Sequence, residues 1–413
     1  MTASLIVSAL AQAAPVAAAF DPVSATDAYL ATVSGAARAR SDAYFEGGYW
    51  LILWNALVGA GVAWGLLHAG VVARLSGKAG GWARGRRAGR AFLFVIVYLV
   101  LTSVVTLPWS IYVGWLREHQ YAMSNQTLPA WLGEWVMGTA IGAILGGLAL
   151  LALLTLYRKR PRSWWAWGTL ASGGFLLVGL LLAPVFIQPL FNRYTPMPAS
   201  PLRAQILQMA QANGVPTDNV LVVDASRQTK RISANVAGVG PTVRVALNDN
   251  LLARTSAPEV RAVMGHELGH YVLGHTVSLL IGFTLIAGLF LLTIDRATPW
   301  LVARYGRRWG ITGRDDPAML VPATIVASVL AVLLTPATNS LIRFHETQAD
   351  YFGINTSRAP DGWARVALKL GEYRKLEPGP LEEIIFFDHP SGRTRILMGM
   401  RWKAHHLGEP DVQ

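Results

Sequence analysis

The sequence predicts a mainly α, polytopic membrane helical bundle of six or seven spans joined to a smaller mixed α/β domain. Three observations predict it. Of the 413 residues, 53% are hydrophobic and 15% charged, with a mean hydropathy of +0.36, whereas a soluble domain carries nearer a quarter charged residues. Six apolar runs approach or exceed the roughly 20 residues that cross a hydrocarbon core. A single H-E-x-x-H, His266 to His270, lies in the polar stretch after the fourth run.

In chain order, residues 1–20 are short, apolar and Ala-rich, without a basic start, so they read as a signal peptide or a first transmembrane helix. Residues 21–48 are mixed and expected outside the membrane. Four apolar runs follow within 49–191, near 49–73, 92–115, 135–157 and 166–191. Residues 192–276 form the first part of the polar domain, two further runs lie near 277–294 and 317–337, and 338–413 complete the domain. The 15 Trp residues suit membrane–water interfaces.

Three short loops are densely basic. They hold Lys78, Arg84, Arg86, Arg87 and Arg90; then Arg158, Lys159, Arg160 and Arg162; then Arg296, Arg304, Arg307, Arg308 and Arg314. Six spans from residue 49 place all three loops on one side, which the positive-inside rule assigns to the cytoplasm. Both parts of the polar domain then share the opposite face, the periplasmic side of a bacterial inner membrane. This use of charge also explains the net +12 without invoking nucleic acid. The partners expected are a peptide or protein substrate and the lipid bilayer; the oligomeric state is open.

Within the polar domain, Pro201–Asn213 reads as a helix stopped by Gly214, and Val220–Asp224 as a strand. Asn235 to Asn248 alternates around Gly240-Pro241 as a hairpin. Ser256 to His275 reads as one helix, opened by the capping box Ser256-Ala-Pro-Glu259.

On that helix His266 and His270 are one turn apart on one face, so both imidazoles reach one zinc ion. Glu267 lies about 100° round the helix. From there it can take the proton of a zinc-bound water attacking a peptide bond, and return it to the leaving amine. The pattern points to a zincin-like metalloendopeptidase with one Zn2+ per chain. There are no cysteines, so the third ligand must be His, Glu or Asp. Glu346 is the candidate, on a helix continuing from the last apolar run, with Asp350 one turn on to orient a ligand imidazole. His345 competes on spacing but points about 100° away. His275 stands five residues past His270, off the ligand face, and reads as a satisfied helix-end histidine. Asn235 and His389 are candidates for substrate alignment and oxyanion stabilisation, and both equally suit structural turns.

At these residues the chain resembles the integral-membrane zinc metallopeptidase family that includes the type I CAAX prenyl proteases. The resemblance runs from about Ser41 to the tail. Its most specific piece is Gly265-His-Glu-Leu-Gly-His-Tyr-Val-Leu-Gly-His275-Thr276; Glu346-Thr-Gln-Ala-Asp350, Leu107-Pro-Trp-Ser110, Asn125-Gln-Thr-Leu128 and Pro189-Leu-Phe191 with Thr195-Pro196 add to it. It implies His266, His270 and Glu346 as ligands and Glu267 as base and acid. It further implies Asn235, with Val236 and Ala237, as substrate-aligning, His389 as transition-state stabilising, Arg395, the arginine that follows it, as substrate-binding, and Arg343 in support of the metal site. The implied fold is a ring of seven helices around a water-filled chamber, residues 1–20 supplying the seventh. Departures border the substrate groove: Asn235-Val236-Ala237 stands for the family's Asn-Ala-Tyr, the hairpin is about two residues shorter, and Ile342 replaces a Ser.

Two other classes stay open on sequence alone. A transporter would carry more polar residues within its spans. A membrane scaffold with structural zinc would close the site with a fourth protein ligand.

Overall fold

The computed structural model describes residues 20–238, 242–409 and 412. The expected signal or first span, up to residue 19, and the Gly240-Pro241 hairpin tip lie outside the described residues.

Five helices are long and apolar enough to cross a membrane: Gly35–His68, Arg87–Val105, Leu128–Lys159, Trp164–Phe191 and His275–Tyr305. A sixth candidate is a pair, Pro317–Leu333 and Thr335–Ser357, bent by 51°. The helices begin and end several residues away from the apolar runs. Gly35–His68, for example, starts within the polar segment and runs unbroken into the first run. Backbone hydrogen bonding continues through polar sequence that hydropathy alone cannot connect.

These helices close a circuit. Gly35–His68 touches Leu320–Leu333, which touches His275–Tyr305; then come Trp164–Leu182, Leu128–Lys159 and Arg87–Val105, which returns to the first. A solid bundle would bury one face of every helix. Across the five straight spans at most 22% of the most apolar window is buried, so the wall they form is one helix thick.

The three basic loops gather at one end of this ring. Ser76 Oγ donates to Asp316 Oδ1 at 2.6 Å, Arg158 donates to the carbonyl of Asp315 at 2.8 Å, and Arg314 to that of Pro161 at 3.0 Å. The amphipathic helix Val71–Trp82 plugs this end, its Val72, Leu75 and Ala79 packed with Leu67, Phe94, Trp309 and Val321.

The polar domain docks on the other end. Gln228 donates to Glu134 at 2.8 Å, Asn125 to the carbonyl of Ser226 at 2.7 Å, and Arg244 to that of Pro184 at 2.7 Å. The N-terminal helix Pro22–Ala31 lies across it, Tyr29 donating to Asp361 at 2.8 Å. The domain's sheet has four strands: β1 Tyr194–Pro196, β2 Val220–Val223, β3 Ala234–Ala237 and β4 Arg244–Asn248. Their order is β1-β2-β4-β3. The expected hairpin is the antiparallel pair β3–β4, with Asn235 opposite Ala246. The parallel pairing of β2 with β4 puts β3 on the edge. Beneath the sheet, Ile206, Val245, Leu247, Val260, Met264, Ile354 and Trp363 form a continuous buried core.

The zinc-motif helix spans Ala257–Val272. Ser256 N–H donates to Glu259 Oε2 at 2.7 Å, the expected reciprocal half of the cap. Contrary to the single helix read from sequence, it stops at Val272. Gly274 takes the left-handed conformation at φ +66°, and a new helix begins at His275.

Ala257–Val272 crosses Thr335–Ser357 glycine to glycine. A Cβ on Gly265 would come within 2.6 Å of the Gly353 carbonyl oxygen, and one on Gly353 within 2.7 Å of the His266 nitrogen. Each contact is to backbone, which cannot swing aside. Gly353→Ala is therefore expected to force the helices apart and cost about 1–3 kcal/mol. Thermal unfolding of the variant, run with and without added zinc, checks this: both stability and the stabilisation by zinc should fall.

Candidate metal centre and active site

The glycine crossing sets His266 and His270 opposite Glu346. The two Nε2 atoms are 3.0 Å apart. Glu346 Oε2 lies 3.2 Å from His266 Nε2, and its Oε1 lies 3.4 Å from His270 Nε2. With the proton of each ring on Nδ1, the two Nε2 lone pairs facing each other at this distance repel, and Glu346 Oε2 is buried without a well-formed hydrogen bond. A cation between these atoms would relieve both conflicts. The three residues offer ligand atoms within 4.8 Å of one another, a group unmatched among the described residues. Two imidazoles and one carboxylate suit a zinc ion with a coordination position left open.

The arrangement behind His266 fixes its tautomer. His266 Nδ1 is 2.8 Å from Asp350 Oδ1, and Arg395 Nη2 is 2.6 Å from the same oxygen. Asp350 is 0% exposed. The Nδ1–H therefore points to Asp350, and the Nε2 lone pair points to the metal position. Arg395 thus stands behind the ligand as the counter-charge of Asp350. Its guanidinium also lies 4.9 Å above the Trp363 ring.

The open side faces a cavity of about 190 Å³ lined by His266, Glu267, Trp363, Arg374, His389 and Arg395 among others. Glu267 is one residue from a ligand yet turned into this cavity. Burial pushes its carboxyl above the ordinary glutamate range, opposed by the neighbouring histidines. A carboxyl in this cavity can take a proton and give it back.

His389 reaches the same cavity from the loop after Pro380–Phe386. Its Nε2 is 3.1 Å from Glu346 Oε2, and its Nδ1 is 2.8 Å from Asp388 Oδ1. Burial holds its pKa below the usual histidine value, although the Asp388 hydrogen bond opposes this. Arg343 supports the loop and does not bond a ligand. It donates to the carbonyl oxygens of Glu383, at 2.7 Å, and Phe387, and to Ser340 Oγ at 3.1 Å. Its expected place beside the metal ligands is corrected accordingly: an arginine long enough to reach the next loop spends its donors on carbonyls there.

Asn235 sits on β3, and its Oδ1 is buried without a partner among the described residues. Ala234 lines the cavity. Val236 packs into the core beneath the sheet, so it can offer a substrate only backbone; Ala237 alternates to the face of Asn235. His345 bonds Ser278 Oγ through Nε2 at 2.7 Å and the Leu341 carbonyl through Nδ1 at 2.8 Å, away from the ligand set. Sequence reasoning missed one residue of the cavity. Arg374 enters the cavity from a turn that carries no sequence signal. His275, read as a satisfied helix-end histidine, is indeed satisfied, by His270 and Gln348, but at the start of the next helix; its contact with His270 was the part not foreseen, and Gly274 is the signal for it.

A ring of membrane helices, an H-E-x-x-H helix at one end, and a glutamate ligand on the helix that crosses it define a membrane-embedded metallopeptidase. Comparison with known proteins gives the family. Residues 196–398 match peptidase family M48, and residues 26–193 match the CAAX prenyl protease N-terminal region of five membrane helices. The chain is 31% identical over 315 residues to CAAX prenyl protease 1 of Saccharomyces cerevisiae, covering 72% of this chain and 69% of that one. It is 29% identical over 345 residues to the uncharacterized metalloprotease YhfN of Bacillus subtilis, covering 82% and 80%. The crystal structure of S. mikatae Ste24p shares the fold, with a TM-score of 0.73 at 19% identity over 89% of each chain. The chain belongs to peptidase family M48.

The Asp350 contact makes a separable prediction. Asp350→Asn removes the charge that holds His266 Nδ1–H and is expected to weaken metal binding by about 10–100-fold. Competition with a chromophoric chelator measures it.

Proposed function

We propose that the chain is a zinc-dependent membrane endopeptidase that cuts extended segments of membrane-associated proteins without requiring a prenyl group, a quality-control activity. The observation that carries this reading is the edge of β3, unpaired on one side among the described residues, which carries Asn235 and whose Ala234 lines the cavity that holds His266 and Glu267. An extended peptide adds to such an edge through main-chain hydrogen bonds, which any sequence can make.

His266, His270 and Glu346 would hold zinc, which when bound supplies a Lewis acid for the scissile carbonyl and lowers the pKa of water. Glu267 accepts the proton of the attacking water and passes it to the leaving amine. Doubly protonated, with its Nδ1–H held by Asp388, His389 donates from Nε2 to the oxyanion, a contribution worth about 10²–10³ in rate. Its Nδ1 contact to Asp388 keeps Nε2 aimed at the site. Asn235 aligns the peptide through its amide. The substitutions around Asn235-Val236-Ala237 sit along this groove and favour a specificity broader than the prenyl proteases named among its relatives.

Glu267→Gln should retain zinc near one per chain and lose about 10²–10⁴ of kcat. Wild type, assayed beside it in detergent, should cut an unprenylated peptide library. Cleavage of farnesylated peptides alone would replace this reading with C-terminal CAAX-type processing, and absence of zinc from wild type would remove it.

We further infer that the catalytic end faces the periplasm of a bacterial inner membrane, because the basic loops gather at the opposite end. Alkaline phosphatase fused after Gln413 is then expected to be active and a fluorescent protein at the same place dark; the reverse pattern would invert the topology.

A further inference from the structure

His275 makes an unusual contact. It opens the membrane helix His275–Tyr305 just after Gly274, whose left-handed backbone turns the ring back against the preceding helix. His275 Nδ1 and His270 Nδ1 are 2.9 Å apart. At this distance one nitrogen donates and the other accepts. His275 Nε2 lies 3.1 Å from Gln348 Oε1. An amide oxygen accepts only, so His275 carries its proton on Nε2 and a lone pair on Nδ1. The proton between the two rings therefore belongs to His270. An imidazole protonated at Nδ1 presents its lone pair at Nε2, and His270 Nε2 faces His266 Nε2 and Glu346 Oε1.

We propose that His275, held by Gln348, is a positioning residue that locks His270 in the tautomer and ring orientation required to bind the metal; the proposal rests on the zinc reading above. The surroundings restrict it to this pose. His275 is 2% exposed, so water does not readily replace it. The His345 ring packs edge-on against it with centroids 4.9 Å apart, and His345 is itself tied to Ser278 and to the Leu341 carbonyl. Gln348 lies two residues from Glu346 on the same helix, so the helix that supplies the carboxylate ligand also sets the proton on the opposite histidine.

The two ligand histidines are thus backed differently. His266 has a carboxylate, Asp350, neutralised by Arg395. His270 has a neutral acceptor. A second carboxylate there would place another negative charge beside Glu346 and Glu267. An imidazole orients the ligand without adding charge, leaving the ion more electrophilic.

The test uses the full chain purified in detergent, with zinc as the probe and affinity read by competition with a chelator. His275→Phe keeps ring volume but removes the acceptor; His275→Asn places an amide oxygen near the position of Nδ1. Phe is expected to lower zinc affinity about 10–100-fold, and Asn to restore most of that loss. Thermal unfolding in excess chelator, matched to wild type, shows that the metal-free fold is intact. If the Phe variant does not fold, His275→Ala takes its place in the same comparison. Unchanged zinc affinity without the acceptor overturns the proposal. So does an Asn variant as weak as Phe or Ala, since packing alone would then explain the loss. Wild type that binds no zinc would overturn the zinc reading as well, and so is distinguishable from either result.

Discussion

The site depends on two helices approaching without side chains between them. Gly265 and Gly353 meet backbone to backbone, and Gly269 packs within 3.1–3.2 Å of Phe352 and Ala349 as judged from an added Cβ. Ordinary helix pairs keep their axes about 8–10 Å apart because side chains fill the gap. A glutamate reaching across that gap would stand too far from two histidines to share one ion with them. Small residues at the crossing draw Glu346 in, and the same approach seats Asp350 against His266 Nδ1. One steric fact therefore assembles both a ligand and the group that orients another.

Burial sets the electrostatics around this crossing. Asp350 and Arg395 are enclosed together, and each would be costly alone. Their pairing keeps a full negative charge next to His266 where water is excluded. The cavity side differs. Burial shifts Glu267 and His389 toward their neutral forms, against the histidines beside Glu267 and the Asp388 contact of His389. The carboxylate behind His266 is thus held charged by Arg395, whereas burial favours the neutral forms on the cavity side.

The membrane ring gives this chemistry its setting. Helix Val71–Trp82 closes one end, and the sheet and zinc helix cover the other. The zinc helix hands over to a spanning helix at Gly274, and the Glu346 helix is the second half of the bent sixth candidate span, after Leu334. Both halves of the metal site are thus direct extensions of the wall. The geometry of the site is anchored by helices whose own positions are fixed by the bilayer and the ring.

Much of this was legible in the chain. Local rules suffice for spans, caps and motif: apolar length marks a membrane helix, and i, i+4 spacing puts His266 and His270 on one face. Glu346 and Asp350 were legible for the same reason, being one turn apart on a helix. Where the reading failed, the cause was non-local. His275 is satisfied as read, but the helix extended through it ends at Gly274, so its contact with His270 could not be foreseen. Arg343 was assigned to the metal site, yet its donors meet carbonyls some 40 residues away, at Glu383 and Phe387. The side of β3 left open followed from the parallel pairing of β2 with β4, which no local pattern encodes. The sequence by itself determined the membrane class, the zinc-motif helix and the ligand types, because each is set by spacing along one element. Tertiary structure decided how closely the two ligand helices meet, which groups stand behind each histidine, and which strand edge is free, because these depend on contacts between elements far apart in the chain.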